Sequence, residues 1–185
     1  MNILAVDDDP VKAAQALCDQ HVGKMLLESA QLLCAAQGQT GPIEKSLREW
    51  WLIAAPVERL QLDLLPYKRT HYNHPCAIWT RRTAGNYCWL AAHGEALARE
   101  HIYRFNKPHS SALVVAWCSE RAALVDFAEP GPQRTLFAQA MPEQYRGPDA
   151  VQAYRRYYAA EKMILRGKPV TWTRRERPTC LDVKI

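Results

Sequence analysis

Apolar residues recur at helical spacing along most of this chain, and strand-like alternation is almost absent. Asp9-Pro10, an N-cap acceptor followed by proline at the first helical position, predicts a helix start. Val11, Ala14, Leu17, Met25 and Leu32 continue the period to Gly38, so Asp9 to Gln37 reads as one long helix. A second helix is predicted from Ile43 to about Ala55, broken by Pro56, with a short helix or irregular stretch from Val57 to Leu65. Tyr67 to Pro75 reads as a polar, basic loop. A long helical region then runs from Pro75 to about Phe105, restarting at Thr83 and weakened by Gly85, and a further helix from Ser110 to Phe127. Ala128 to Pro148, rich in Pro and Gly, reads as a surface connection, and Asp149 caps a last helix to Leu165. The tail from Gly167 has no period. The expectation is an all-α, compact single-domain bundle of about five helices with long loops over 1–185, ending in a basic irregular tail at 167–185.

Within the first helix, His21, Lys24 and Glu28 lie three and seven residues apart and share one face. Such a stripe can bind an anion and move a proton. The expected catalytic group is therefore Glu28 as general acid or base, supported by His21, Lys24 and His74. For Glu28 the alternative is a solvated carboxylate paired with Lys24. For His21 it is a packed ring satisfied by the backbone, and for His74 a helix cap before Pro75. Asn86, Tyr87 and Trp89 read as packing residues, and Asp7-Asp8-Asp9 as a helix N-terminus favoured by the dipole.

Charge changes the picture modestly. The net charge is +5, but from Arg146 to Ile185 ten Lys/Arg face four Asp/Glu, a local excess of six. Lys68, Arg69, His71, Asn73, Arg81 and Arg82 lie close in sequence to Tyr67, Tyr72 and Trp79, which suits a nucleic-acid surface of cations and flat faces. Arg155 joins that surface; with Lys162 it faces away from core positions 151, 154, 158 and 165 on the last helix. Such a surface slightly favours a nucleic-acid partner, and the resemblance described below makes that partner double-stranded DNA. The six scattered cysteines form no C-x-x-C pair and read as reduced thiols; no cofactor and no metal are expected. Neither a signal peptide nor an apolar run long enough for a membrane is present, so a cytoplasmic location is expected. No Gly-rich phosphate loop supports an enzyme of free nucleotides.

Three blocks, in order, carry a resemblance. Asp19-Gln20-His21 with Glu28, then Asn73-His74-Pro75 with Ile78-Trp79 and Glu100 to Arg104-Phe105, then Met141 to Gly147 with Glu161-Lys162 and Thr171-Trp172 resemble the phage pyrimidine-dimer DNA glycosylase/AP lyase (endonuclease V) family. The first block also resembles a helix shared by a broad set of phage proteins. The resemblance implies a helical enzyme that kinks duplex DNA and works at a damaged pyrimidine. In that family the N-terminal amine attacks the sugar carbon and forms an imine, assisted by the helix glutamate. By position Glu28 is that glutamate, with Gln20 and His21 beside the DNA. The chain departs from the family at Leu27 and Gln31, where the family has arginines, and at Asn2, too bulky for removal of Met1. A second reading is thus a transferase that adds a small amine or amino-acid co-substrate to 5-hydroxymethyluracil-type bases. A third is a non-catalytic DNA-binding protein.

Overall fold

A computed structural model describes residues 1–37, 58 and 65–183. The helix expected at 43–55 and the short helix or irregular stretch at 57–65 therefore lie outside the described residues, apart from Glu58 and Leu65. The class is all-α, as the periodicity predicts, but the long helices are interrupted. Helix α1 spans Pro10–Ala16 and α2 Asp19–Gln37. The Asp9 carboxylate caps α1, accepting from the Val11 and Lys12 amides at 2.8 and 2.9 Å. The expected single helix breaks at Leu17-Cys18 because distant side chains take its backbone groups. The Tyr158 hydroxyl accepts the Cys18 N–H at 2.9 Å, and Arg104 donates to the carbonyls of Gln15 and Leu17 at 2.9 and 2.8 Å.

The region after Pro75 likewise divides into α3, Pro75–Thr80, and α4, Ala84–Phe105. The Thr83 hydroxyl accepts from the Asn86 amide and donates to the Gln133 carbonyl, so one residue caps α4 and ties down the later segment. Gly85 is no weak point: a Cβ there would collide with the backbone of Pro132–Arg134, which rests directly on the helix. Helix α5 is Ser111–Glu120, followed by a 3-10 turn at Ala122–Leu124 rather than more α-helix.

The stretch expected to be a surface connection, 128–148, is instead held on the core. Phe137 and Met141 are buried, and Phe137 packs on Trp79 and Trp89 with ring centroids 5.5 and 4.7 Å away. Helix α6, Ala150–Glu161, stops short of Leu165. The chain turns into a two-stranded hairpin, β1 Ile164–Leu165 and β2 Lys168–Pro169, antiparallel with Leu165 opposite Lys168. Asn86, Tyr87 and Trp89 are buried as expected, and so are Val151, Tyr154 and Tyr158. The N-terminal segment belongs to the core as well, Ile3 to Val6 being all buried. No helix among the described residues is long and apolar enough to cross a membrane.

Candidate active site at the N-terminus of the chain

The Asp-Gln-His run at the start of α2 performs three separate jobs. Asp19 is structural: it accepts from the Thr171 hydroxyl at 2.7 Å, the Thr173 amide at 2.9 Å and the Arg104 guanidinium at 3.1 Å. Burial alone would raise its pKa, but these hydrogen bonds outweigh it and hold the carboxyl below its ordinary range. The C-terminal tail is thereby fastened to the first turn of α2. Gln20 stays exposed at the rim of a groove.

His21 is buried and its ring is fixed. Nδ1 lies 2.7 Å from the Tyr158 hydroxyl and 3.2 Å from the Cys18 thiol. The same hydroxyl accepts the Cys18 N–H at 2.9 Å, so the ring and the start of α2 are fixed to one point. Burial, then the charges of Lys24 and Lys162, lower the His21 pKa to about 4. The ring is therefore neutral at physiological pH. A stability signature follows. Unfolded His21 protonates near 6.5 whereas the folded ring does not until about 4. Its contribution is complete above 6.5 and is lost as pH falls toward 4, on the order of 3 kcal/mol in all. The slope of unfolding free energy against pH in that window should be shallower in His21→Gln by about one proton's worth; equal slopes contradict the assignment.

Glu28, two turns further along, has a side chain only 14 % exposed. Oε2 accepts the backbone N–H of Asn2 at 2.7 Å, and Oε1 is 3.8 Å from Lys24 Nζ. Asn2 is itself pinned: its amide donates to the Ala140 carbonyl at 2.8 Å, and Oδ1 accepts from the Ile3 and Leu4 amides. Leu4 sits at φ +41, a conformation a branched side chain seldom adopts, so the N-terminal segment is bent onto the carboxylate against its own preference. Met1, Asn2, His21, Lys24, Glu28 and Lys162 line one concavity of about 220 Å³. It holds a carboxylate, two ammonium side chains and the start of the chain. A second, larger concavity of about 660 Å³ shares His21 and Lys24 with it and is walled on the far side by the β1–β2 hairpin.

The other expected site residues fare unevenly. The His74 Nδ1 accepts the Cys76 amide at 3.2 Å, so His74 caps α3. Burial, then the charges of the N-terminal amine and His71, lower its pKa, so the ring is electrostatically coupled to the start of the chain. His71 and Asn73 are exposed in the loop. The expectation that the loop's aromatics are free to stack on bases is corrected. Trp79 is buried, Tyr67 is bonded to Ser111, and the guanidinium groups of Arg69 and Arg81 lie over the Tyr72 ring, 4.1 and 3.7 Å from its centre. Arg82 pairs with Glu129 at 2.8 Å. Arg155, expected on DNA, donates to the Val6 carbonyl at 2.7 Å and pairs with Asp7 at 3.2 Å. It secures the N-terminal segment instead. Lys68 remains in the exposed loop. The sequence reading missed Asn2 as the partner of Glu28, Tyr157 in the lining of the same concavity, and Arg166 and Lys168 in that of the larger one. Spacing singles out none of the four, and Arg166 and Lys168 count only toward the basic excess of residues 146–185. Among the described residues, no three of His, Cys, Asp and Glu converge to hold a metal ion.

A family model described as pyrimidine dimer DNA glycosylase matches residues 1–112. That span contains the N-terminal segment, Asp19 to Glu28 and the basic loop, and ends before the hairpin. No curated protein and no solved structure matches the chain.

Proposed function

Starting from the chain's membership of the pyrimidine dimer DNA glycosylase family, we propose that it acts on a pyrimidine nucleotide of duplex DNA as a glycosylase with associated lyase chemistry. The observation that carries this reading is the Glu28 carboxylate, 2.7 Å from the nitrogen of residue 2 in a small concavity that also takes in Met1. In the reading, the neutral α-amine of Met1 attacks the sugar carbon that bears the base. A carbon–nitrogen bond to the protein forms as the glycosidic bond breaks, and the base leaves with a proton. Glu28 exchanges protons with the amine and the opening sugar, giving an imine. Lys24 and Lys162 supply positive charge for the flanking phosphates, and the neutral His21 ring stands beside them. The target nucleotide reaches the concavity by leaving the stack, at a cost that is least where pairing is already damaged.

The test is borohydride trapping on duplexes that carry an abasic site or a thymine dimer. A covalent protein–DNA adduct located on the N-terminal peptide is expected, with none after acetylation of the α-amine. One feature supports a second reading. The nitrogen seated on Glu28 is a peptide nitrogen while Met1 is present, and a peptide nitrogen is no nucleophile. An exogenous small amine entering the same concavity would then be the attacking group, as in a base-modifying transferase. Selective duplex binding without any trapped adduct favours that outcome over the lyase.

A further inference from the structure

The Ile164–Pro169 hairpin lies outside the family-matched span, and the Glu28 chemistry makes no use of it. We propose that this hairpin is a clamp for the DNA backbone. Arg166 and Lys168 close on a phosphate from one side and Lys24 from the other, next to the nucleotide presented to Glu28. The proposal rests on the DNA reading of the Glu28 site.

Four observations carry it. The larger concavity, about 660 Å³, is walled by Gln20, His21 and Lys24 of α2 and by Leu165, Arg166, Lys168 and Pro169 of the hairpin, with three cations and no carboxylate among them. It shares His21 and Lys24 with the Glu28 concavity, so an anion held there sits beside the proposed reacting centre.

Neither Arg166 nor Lys168 makes an ion pair among the described residues. The arginines further along the same tail are engaged: Arg175 with Glu100 at 2.7 Å, Arg177 with Asp182 at 2.7 Å, and Arg174 with the Tyr103 carbonyl at 2.8 Å. The basic excess of the tail is thus mostly spent on structure, apart from the hairpin. Finally, Arg166 has φ +53 and Gly167 φ +76, the signature of a two-residue type I′ turn. Asn, Asp or Gly is the favoured residue at the first position, and a long cation there is a local conflict of the kind that collects at functional sites. The hairpin base is secured by the buried Val170 and by Trp172, whose indole donates to the Ala16 carbonyl at 3.1 Å, so the cations stand on a fixed support.

Duplex binding is measured by fluorescence anisotropy over a range of KCl concentrations for the full chain, Arg166→Gly/Lys168→Gln, and Lys12→Gln as a basic control beside another concavity. Glycine suits the turn, so the double variant should melt no lower than the parent. Losing the hairpin's hold on that one phosphate should reduce the slope of log affinity against log salt by about 1, and weaken binding roughly 10-fold near 0.1 M salt. Plain and abasic duplexes should lose the same factor, because phosphate contacts carry no sequence information. An unchanged slope in the double variant, while the parent binds with strong salt dependence, overturns the clamp alone. Absence of salt-dependent duplex binding by the parent overturns the DNA reading itself.

Discussion

Glu28→Gln should lower turnover on an abasic or dimer-containing duplex by about 10²–10⁴-fold, the usual contribution of one general acid–base group, with duplex affinity unchanged or slightly raised. The amide has the shape of the carboxylate, and its carbonyl oxygen can still accept the Asn2 N–H now held at 2.7 Å. The bend of the N-terminal segment, and with it the position of Met1, is therefore retained. What disappears is the capacity to take and return a proton at the amine. The variant also removes a negative charge from a place where phosphates would approach, so binding has no reason to weaken. Single-turnover rates and equilibrium binding on the same duplex separate the two effects. Retained turnover would remove Glu28 from the chemistry. Equal losses of rate and affinity would make it a structural support of the N-terminus, the role its bond to Asn2 already gives it.

That dual role was only half legible. His21, Lys24 and Glu28 could be placed on one face of a helix from spacing, and α2 does present all three to one concavity. Caps were legible for the same local reason: Asp9 and Asp149 both hold the first turns they were expected to hold. What could not be read were effects made across the chain. The break at Leu17-Cys18 is produced by Arg104 and Tyr158, 87 and 140 positions away from the backbone groups they engage. Cations and aromatics in the Tyr67 to Arg82 stretch suggested a surface for phosphates and bases. Yet Arg69 and Arg81 both fold over the Tyr72 ring, and the same residues satisfy each other. Composition counts such groups but not their partners. The hairpin has two residues per strand and an Arg-Gly turn, too little alternation and no Asn-Gly signal to mark it.

Arg104→Met should cost about 3–5 kcal/mol of folding stability, the range for breaking a buried ion pair from one side. The guanidinium is fully buried, and it donates to Glu100 at 2.7 Å, Asp19 at 3.1 Å and the carbonyls of Leu17 and Gln15 at 2.8 and 2.9 Å. Methionine fills comparable space but leaves the two carbonyls of the α1–α2 break without that donor. It also leaves the buried Glu100 and the part-buried Asp19 carboxylates with less compensation. Arg175 still grips Glu100 through two hydrogen bonds, and Thr171 and Thr173 still serve Asp19, so the cost stays short of that for bare buried charges. Arg104→Lys should fall between parent and methionine, since one ammonium cannot reproduce the planar fork that meets two carboxylates and two carbonyls at once. Denaturant unfolding checks the order, and a cost below about 1 kcal/mol for methionine would contradict the network's role. The acid limb gives an independent reading. For both Glu100 and Asp19, burial raises the pKa but the hydrogen bonds, with the arginine charges at Glu100, win and hold the folded value below 4.5 and 3.8 respectively. A depressed folded pKa contributes stability that is complete above the unfolded value and is lost as pH falls through the folded one. Arg104→Met should therefore flatten the loss of stability below pH 4.5 as well as lower the plateau above it. Because Asp19 joins the tail to the turn of α2 that carries Gln20 and His21, the same substitution should loosen the wall shared by the two concavities, so the variant's DNA affinity should fall before its global unfolding begins.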